Sequence, residues 1–303
     1  MTDVLKECLA AGVGCAVADG SLNFLEVTKV KLQLQCSKVP IYFPPTMTRV
    51  ITQSAAEDGF WRGLAEPGLG ATTLRAMTYV AFRIGMYSSV RDRIVGGADD
   101  EPTLRDQLTA GAITGGVGSA LFAPVDVVRL RMQADAGSVC GESGRLLTGL
   151  RRGAAPRHNS TFRAFGEIVR TEGAASLYRG AHAAVARATL LSSSQLASYE
   201  NLKLRIRAAL NLEEEVAVLH LGCALISGLI AQTVIQPFDT MRSFLMASST
   251  GSLSALGPLI RTEGLFKWAY RGYLPAMARQ GPIMLFQLPL IEQFRALLGV
   301  GYL

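Results

Sequence analysis

Six long, mostly apolar stretches recur along the chain, at about 5–34, 70–94, 108–132, 182–204, 216–245 and 273–297. Each is long enough for a helix to cross hydrocarbon, which takes about 20 residues. None is purely apolar. The pattern predicts six membrane-spanning helices. The first, third and fifth carry small residues at Gly12 and Gly14, at Gly111, Gly115 and Gly116, and at Gly222 and Gly228. Small residues allow helix backbones to approach closely in lipid. The third stretch ends in "APVDVVRLRMQ" at 123–133, which sets Pro124, Asp126, Arg129 and Arg131 within eight positions. Charges there are costly if they face lipid.

That polar ending repeats. "QPFDTMR" at 236–242 places Pro237, Asp239 and Arg242 in the register of Pro124, Asp126 and Arg129. "NFLEVTKVKLQ" at 23–33 supplies Glu26, Lys29, Lys31 and Gln33 in the same register. The three acids lie 100 and 113 residues apart. A second marker follows each of them: "DGFWRG" at 58–63, "EGAASLYRG" at 172–180 and "EGLFKWAYRG" at 263–272. The chain therefore divides into three units of about 100 residues, 1–100, 101–210 and 211–303. Each is expected to hold two spanning helices with a short amphipathic helix between them.

Composition changes the picture little. Of 303 residues, 49% are hydrophobic and 18% charged, with a net charge of +6. The bases are spread singly along apolar segments, which argues against nucleic acid and leaves anionic solutes and lipid. Cys8, Cys15, Cys36, Cys140 and Cys223 have no metal-ligand spacing, nor do His158, His182 and His220. The cysteines read as small apolar fillers. No metal or cofactor is expected. The Gly-rich stretches lack a P-loop ending, Ser192–Ser194 has no base arrangement, and no enzyme activity is expected. "MTDVLKE" lacks the basic start of a secretory signal.

Three copies of an acid-x-x-base ending in register, two of them opened by proline and each followed by an acid-Gly…Arg-Gly element, resemble the mitochondrial carrier family over nearly the whole chain. The resemblance implies an all-α, six-helix transmembrane barrel of three pseudo-symmetric repeats around a water-filled cavity. It also implies a monomer in the mitochondrial inner membrane, with both termini on the intermembrane-space side, that moves solutes by alternating access. Membrane lipid, cardiolipin in particular, is then an expected partner.

In such a barrel the odd helices converge at the matrix end. Their charges are expected to pair there as Glu26–Arg129, Asp126–Arg242 and Asp239–Lys29, with Gln33 and Gln133 as glutamine braces. Prolines kink the odd helices. Phe24 replaces the first proline, so that helix is expected to behave differently, with Gly20–Ser21 as a softer bend. Phe244 replaces the second base of the third repeat and Met246 its brace. The first acid-Gly…Arg-Gly element looks shortened. On the even helices, "YENLK" at 199–203 and "IEQFR" at 291–295 match the family's aromatic-acid-x-x-base motif, whereas "YSSVR" at 87–91 has Ser88 at the acid position. The opposite gate would then consist of Arg91, Glu200, Lys203, Glu292 and Arg295. Its pairs would be Glu200–Arg295 and Glu292–Arg91, with Lys203 lacking an acid.

Thirteen residues before Ser88, Glu200 and Glu292 stand Arg75, Arg187 and Arg279. Three cations at one depth suit a small polyanion, since guanidinium forks match carboxylates. Asp19 is the one obvious acid partner on a neighbouring helix. Arg83, Gln195 and Gln287, eight residues further on, form a candidate second polar layer. "VARATLLSSSQLASY" and "ARQGPIMLFQLPLIEQF" are similar to the oxoglutarate and dicarboxylate carriers. "CAVADGSLNFLEVTKVKLQLQ" and "RIGMYSSVRDR" are also similar to the uncoupling proteins. The expected function is exchange of small dicarboxylates or keto acids. Two alternatives stay open: an anion-regulated proton leak, favoured by Asp19, and a carrier-fold structural subunit of an inner-membrane complex, favoured by Phe24, Phe244, Met246 and Ser88. The basic loop at 137–160 is read as matrix-facing and solvated, with lipid or a partner subunit as its other contacts.

Overall fold

The computed structural model describes residues 2–34, 46–95, 103–140, 145–153, 160–210, 217–247 and 256–297. Among them the only pairing outside helices is an isolated bridge between Val139 and Leu146. The first span is a bent pair, α1 (Thr2–Ser21) and α2 (Asn23–Leu34), and α3 (Met47–Asp58) is the short helix that follows. The second span comprises α4 (Leu69–Arg75), a π-helical turn at Ala76–Val80, α5 (Ala81–Gly85) and α6 (Tyr87–Val95). The second repeat holds α7 (Leu104–Leu121), α8 (Ala123–Ala134), α9 (Thr161–Glu172) and α10 (Ala181–Leu210). The third holds α11 (Ala217–Ala247), α12 (Leu256–Glu263), α13 (Leu265–Ala269) and α14 (Tyr273–Leu297).

The spans close into a ring. Helix α1 packs against α4–α5, α5 and α6 against α7, α7 against α10, α10 against α11, α11 against α14, and α14 back on α1. At one end α2, α8 and α11 also touch each other. There Val30, Val127, Val128, Leu130 and Met246 form an apolar cluster drawn from all three repeats, and Ala164 and Ile168 of α9 cover it.

By itself, no described helix is long and apolar enough to cross a membrane, but two bent pairs are. Charged and polar residues within the other spans, Arg187, Gln236, Asp239 and Arg279 among them, lower their mean hydropathy. The bends depart from the proline expectation. The first span, with Phe24 in place of proline, bends by 63°, and the second-repeat span, with Pro124, bends by 67°. The first bend falls directly after Gly20–Ser21, where Ser21 Oγ donates back to the Val17 carbonyl at 2.8 Å. Such back-bonding draws a carbonyl away from the helix ladder and bends helices. Helix α11 instead runs on through Pro237. Side chains on either side of that proline tie it to the next corner: Gln236 Nε2 donates to the Arg271 carbonyl at 2.8 Å and Thr240 Oγ1 to the Ala269 carbonyl at 2.9 Å.

Small residues act where two spans meet. A Cβ on Gly14 would lie 2.9 Å from the Ile291 backbone nitrogen, so α1 and α14 touch through bare backbone. Gly118 lies similarly under the Tyr79 and Phe82 rings. Among the described residues, a Cβ on Gly222 of α11 would meet nothing within 4 Å, so no close approach is seen there. Overpacking costs roughly 1–3 kcal/mol. Gly14→Val is therefore expected to lower the thermal unfolding midpoint of the detergent-solubilised protein by several degrees, while Gly222→Ala leaves it unchanged. Equal midpoints for both variants would remove the close-packing role of Gly14.

Candidate functional site

The three expected ring pairs are all present where α2, α8 and α11 converge. Arg129 Nη2 lies 3.1 Å from Glu26 Oε2, Arg242 Nη2 lies 2.5 Å from Asp126 Oδ2, and Lys29 Nζ contacts Asp239 Oδ2. The acids and bases are buried. Each acid receives the ring base of the following repeat, so every pair crosses a seam between repeats.

The arginine triplet adjoins the same carboxylates. Arg75 Nε donates to Asp126 Oδ1 at 2.8 Å, Arg187 Nε to Asp239 Oδ1 at 2.8 Å, and Arg279 Nη1 approaches Glu26 Oε1 at 2.8 Å. Arg279 Nη2 also holds Asp19 Oδ1 at 2.5 Å. Asp19 is thus not the sole partner of the triplet, and its three cations are not unpaired. One carboxylate oxygen of each acid faces the ring base of the next repeat. The other faces the even-helix arginine of the preceding repeat. An unpaired cation at this depth is expensive, and a carboxylate has lone pairs for two bases. Six bases against four carboxylates, with Asp19 included, leave two formal positive charges. Among the described residues, Arg242 Nε and Arg279 Nε are buried donors without a hydrogen-bond partner. Arg75 further stacks over the Tyr79 ring at 4.7 Å.

The second layer is only partly assembled. Arg83 lies beside Gly115 of α7 and makes no ion pair with a described residue. Gln287 Nε2 donates to Cys15 Sγ at 2.8 Å. The side chain of Gln195 lies outside the described residues, as do those of Glu200, Lys203 and Glu292. The expected pairs of the opposite gate therefore fall outside them too. Arg91 engages its neighbour Asp92 at 2.9 Å, and Arg295 is buried.

The braces diverge. Gln33 Nε2 reaches Asp239 Oδ2 and Thr240 Oγ1, both at 3.4 Å, beside the Lys29–Asp239 pair. Gln133 Nε2 instead donates to Asn23 Oδ1 at 3.1 Å. Asn23 is a hub that the sequence reading missed. It is fully buried, accepts from Thr72 at 3.2 Å, and donates to the carbonyls of Ala65 and Pro67 at 2.7 and 3.0 Å. Thr72 in turn accepts from Arg129 Nε at 3.1 Å. The available signal was a carboxamide one place before the proline position in two repeats, at Asn23 and Gln236.

The first acid-Gly…Gly element is not shortened. Gly68, Gly180 and Gly272 have φ of 69°, 73° and 71°, and each directly precedes its even helix. A Cβ on them would lie 2.9–3.1 Å from Gln133, Met246 and Gln33, the brace positions of the next repeat. Gly63, paired with Gly180 and Gly272 from sequence, sits in a π-helical turn at Trp61–Ala65. The counterpart is Gly68, seven residues before Arg75, as Gly180 and Gly272 precede Arg187 and Arg279.

A sequence model described as Mitochondrial carrier protein matches residues 2–97, 100–209 and 213–301. Mitochondrial uncoupling protein 5 of Arabidopsis thaliana is 29% identical over 97% of both chains. Mitochondrial citrate transporter F of Aspergillus niger is 30% identical over 90% of this chain and 83% of its own. The mitochondrial 2-oxoglutarate/malate carrier protein of Sus scrofa is 28% identical over 89% of this chain and 78% of its own. Three matches in tandem, on a closed ring of six spans whose acids and bases pair across every seam, make this chain a member of the mitochondrial carrier family, an all-α multi-pass protein of the mitochondrial inner membrane.

Proposed function

We propose that the protein exchanges small dicarboxylates or keto acids across the inner membrane by alternating access, with Arg75, Arg187 and Arg279 receiving the substrate carboxylates. The observation that carries this reading is the sharing of each ring acid between a ring base and one arginine of the triplet. An entering dianion offers carboxylate oxygens of the same chemistry as Asp126, Asp239 and Glu26. As an arginine turns to the substrate, its ring acid loses one of two bases. The closed end weakens only when the cavity is loaded, and this differential interaction is what couples binding to a conformational equilibrium. The two surplus positive charges match two carboxylates, and the buried donors Arg242 Nε and Arg279 Nε add hydrogen-bonding capacity. Arg83 lies further along the same span as a first contact for the anion. The names of the relatives from Sus scrofa and Aspergillus niger, an oxoglutarate/malate carrier and a citrate transporter, fit a carboxylate substrate.

A second reading, an anion-regulated proton leak, draws on the Asp19–Arg279 pair and on the likeness to uncoupling protein 5. A structural subunit without transport fits less well, because the ring and the triplet are complete. In the proposed orientation the convergent end faces the matrix, and Lys203 lacks an acid at Ser88 on the other side.

Arg75→Ala, Arg187→Ala and Arg279→Ala are each expected to cut exchange in liposomes by at least about thirtyfold, since truncating a desolvated charge contact costs ~2 kcal/mol or more. The test panel is oxoglutarate, malate, citrate and phosphate. Each ring acid keeps its ring base, so all three variants should stay folded. Wild-type rates in all three would overturn the site assignment. Proton conductance of wild-type liposomes that needs no counter-anion and changes with added anion would favour the proton-leak reading.

Restoring the missing acid tests the gates. Ser88→Asp gives Lys203 a partner, and surface-accessible pairs contribute up to about 1 kcal/mol. Labelling of single cysteines on the cavity wall should fall from the intermembrane-space side and rise from the matrix side. Unchanged labelling on both sides would mean that this ring does not set the equilibrium.

A further inference from the structure

In the second repeat, the acid-Gly element is fastened within its own repeat. Glu172 forks onto the buried Arg131, with Nη1–Oε1 at 2.7 Å and Nη2–Oε2 at 2.9 Å. In the first repeat the base in this register is a lysine, whose single ammonium forms no such fork. Lys31, in the register of Arg131, donates to Ser54 Oγ at 2.9 Å and to the Gly63 carbonyl at 3.0 Å. Asp58, in the register of Glu172, lies within electrostatic reach of Lys31 and also reaches the chain that leaves α8 in the second repeat. One oxygen, Asp58 Oδ1, accepts from Ser138 N at 3.1 Å, Ser138 Oγ at 2.5 Å and Thr148 Oγ1 at 2.5 Å.

The receiving segment is built for this contact. Ser138 N also donates to Thr148 Oγ1 at 2.8 Å, and Leu147 N donates to the Ser138 carbonyl at 2.8 Å. Two arms, 135–140 and 145–153, thus cross tightly. Gly137 and Gly149 allow the crossing: a Cβ on Gly137 would lie 2.5 Å from the Thr148 carbonyl oxygen. Gly149 has φ of +84°, and its Cβ would lie 2.3 Å from the Ala136 carbonyl oxygen. Arg151 returns to Asp135 at 2.7 Å. Apolar contacts face the first repeat: Ala136 joins Val27, Leu64 and Ile51, and Leu150 packs on Leu32 and Val50. The segment is covalently part of the second repeat but is packed and hydrogen-bonded to α2 and α3 of the first.

We propose that the two arms 135–140 and 145–153 form a latch across the seam between the first and second repeats, engaged by Asp58 and released when the convergent end opens. It acts in parallel with Glu26–Arg129, the ring pair that crosses the same seam. Separating α2 from α8 breaks both. The latch rests on the transport reading for its role in turnover, but its hold on the seam is measurable without transport.

The test uses the full-length protein in liposomes, with its five native cysteines replaced. Val30, buried in the apolar cluster between α2 and α8, becomes a single reporter as Val30→Cys. Reaction with a water-soluble maleimide reads the opening of the seam. Asp58→Asn should speed labelling by about tenfold or more, the factor for weakened hydrogen bonds to a charged acceptor. A second variant without the reporter, Asp58→Cys with Ser138→Cys, is joined by a short, reducible bifunctional thiol reagent. Exchange should be lost on joining and return on reduction. Unchanged labelling in Asp58→Asn, or full exchange while joined, would overturn the latch. If labelling responds as expected but no form exchanges any anion of the panel, including the parent, the latch stands and the transport reading fails.

Discussion

Three carboxylates buried at one end of a membrane barrel determine most of what surrounds them. In a medium of low dielectric, a carboxylate needs partners for its oxygens and each base needs an acid. Glu26, Asp126 and Asp239 meet both demands by turning one oxygen to a ring base and the other to an arginine one level deeper. Closing the barrel and positioning the triplet are therefore one arrangement. The bends after Ser21 and at Phe122 carry α2 and α8 inward, to where α11 already stands. The glycines before the even helices let each helix begin directly against the brace position of the next repeat. A side chain there would hold the even helix off, and with it the arginine seven residues on.

Much of this was legible in the sequence because a threefold repeat over-determines its own register. The six spans, the short helices α3, α9 and α12, and the ring pairs follow from acids and bases recurring at one spacing. What was not legible depended on tilt and on local chain geometry. Counting back from Ser88, Glu200 and Glu292 finds Arg75, Arg187 and Arg279. Their depth relative to the ring depends on how the even helices lean, and the second span also contains a π-helical turn at Ala76–Val80. The arginines therefore read as isolated cations. Gly68 was missed because Arg62–Gly63 imitates the Arg-Gly ending of the other repeats, while the true position is preceded by Glu66–Pro67. Its left-handed backbone and its seven-residue spacing to Arg75 identify it. Asn23 was passed over because a carboxamide beside a missing proline has no charge to draw attention. Yet burial obliges it to satisfy every donor and acceptor it has.

The proline rule failed in an instructive direction. A ring clash and a lost donor make proline a sufficient cause of bending, not a necessary one. The first span bends just after Gly20–Ser21, where Ser21 Oγ bonds back to the Val17 carbonyl, and α11 runs on through Pro237 with Gln236 and Thr240 tied to the next corner. Side-chain hydrogen bonds to backbone accompany both cases, and a rule that inspects the proline alone does not see them.

The departures from threefold symmetry that remove a charge all lie outside the carboxylate ring, and the energetics explain why. A ring position that lost its charge would leave another buried charge uncompensated. An outer position needs only packing and satisfied hydrogen bonds, which other residues can supply. Met246 cannot brace as Gln33 does, but its side chain is fully buried in the apolar cluster and its carbonyl accepts from Arg131 Nε at 3.2 Å. Lys31 has no Glu172 to fork with, but Ser54 and the Gly63 carbonyl satisfy its ammonium. Asp58, near Lys31 but not forked onto it, also serves the second repeat. Each exchange preserves local satisfaction of polar groups while changing which repeats are fastened together. The chain keeps three charge pairs of one scheme and acquires seams that differ in what else fastens them, as Asp58 on Ser138 and Thr148 does between the first and second repeats.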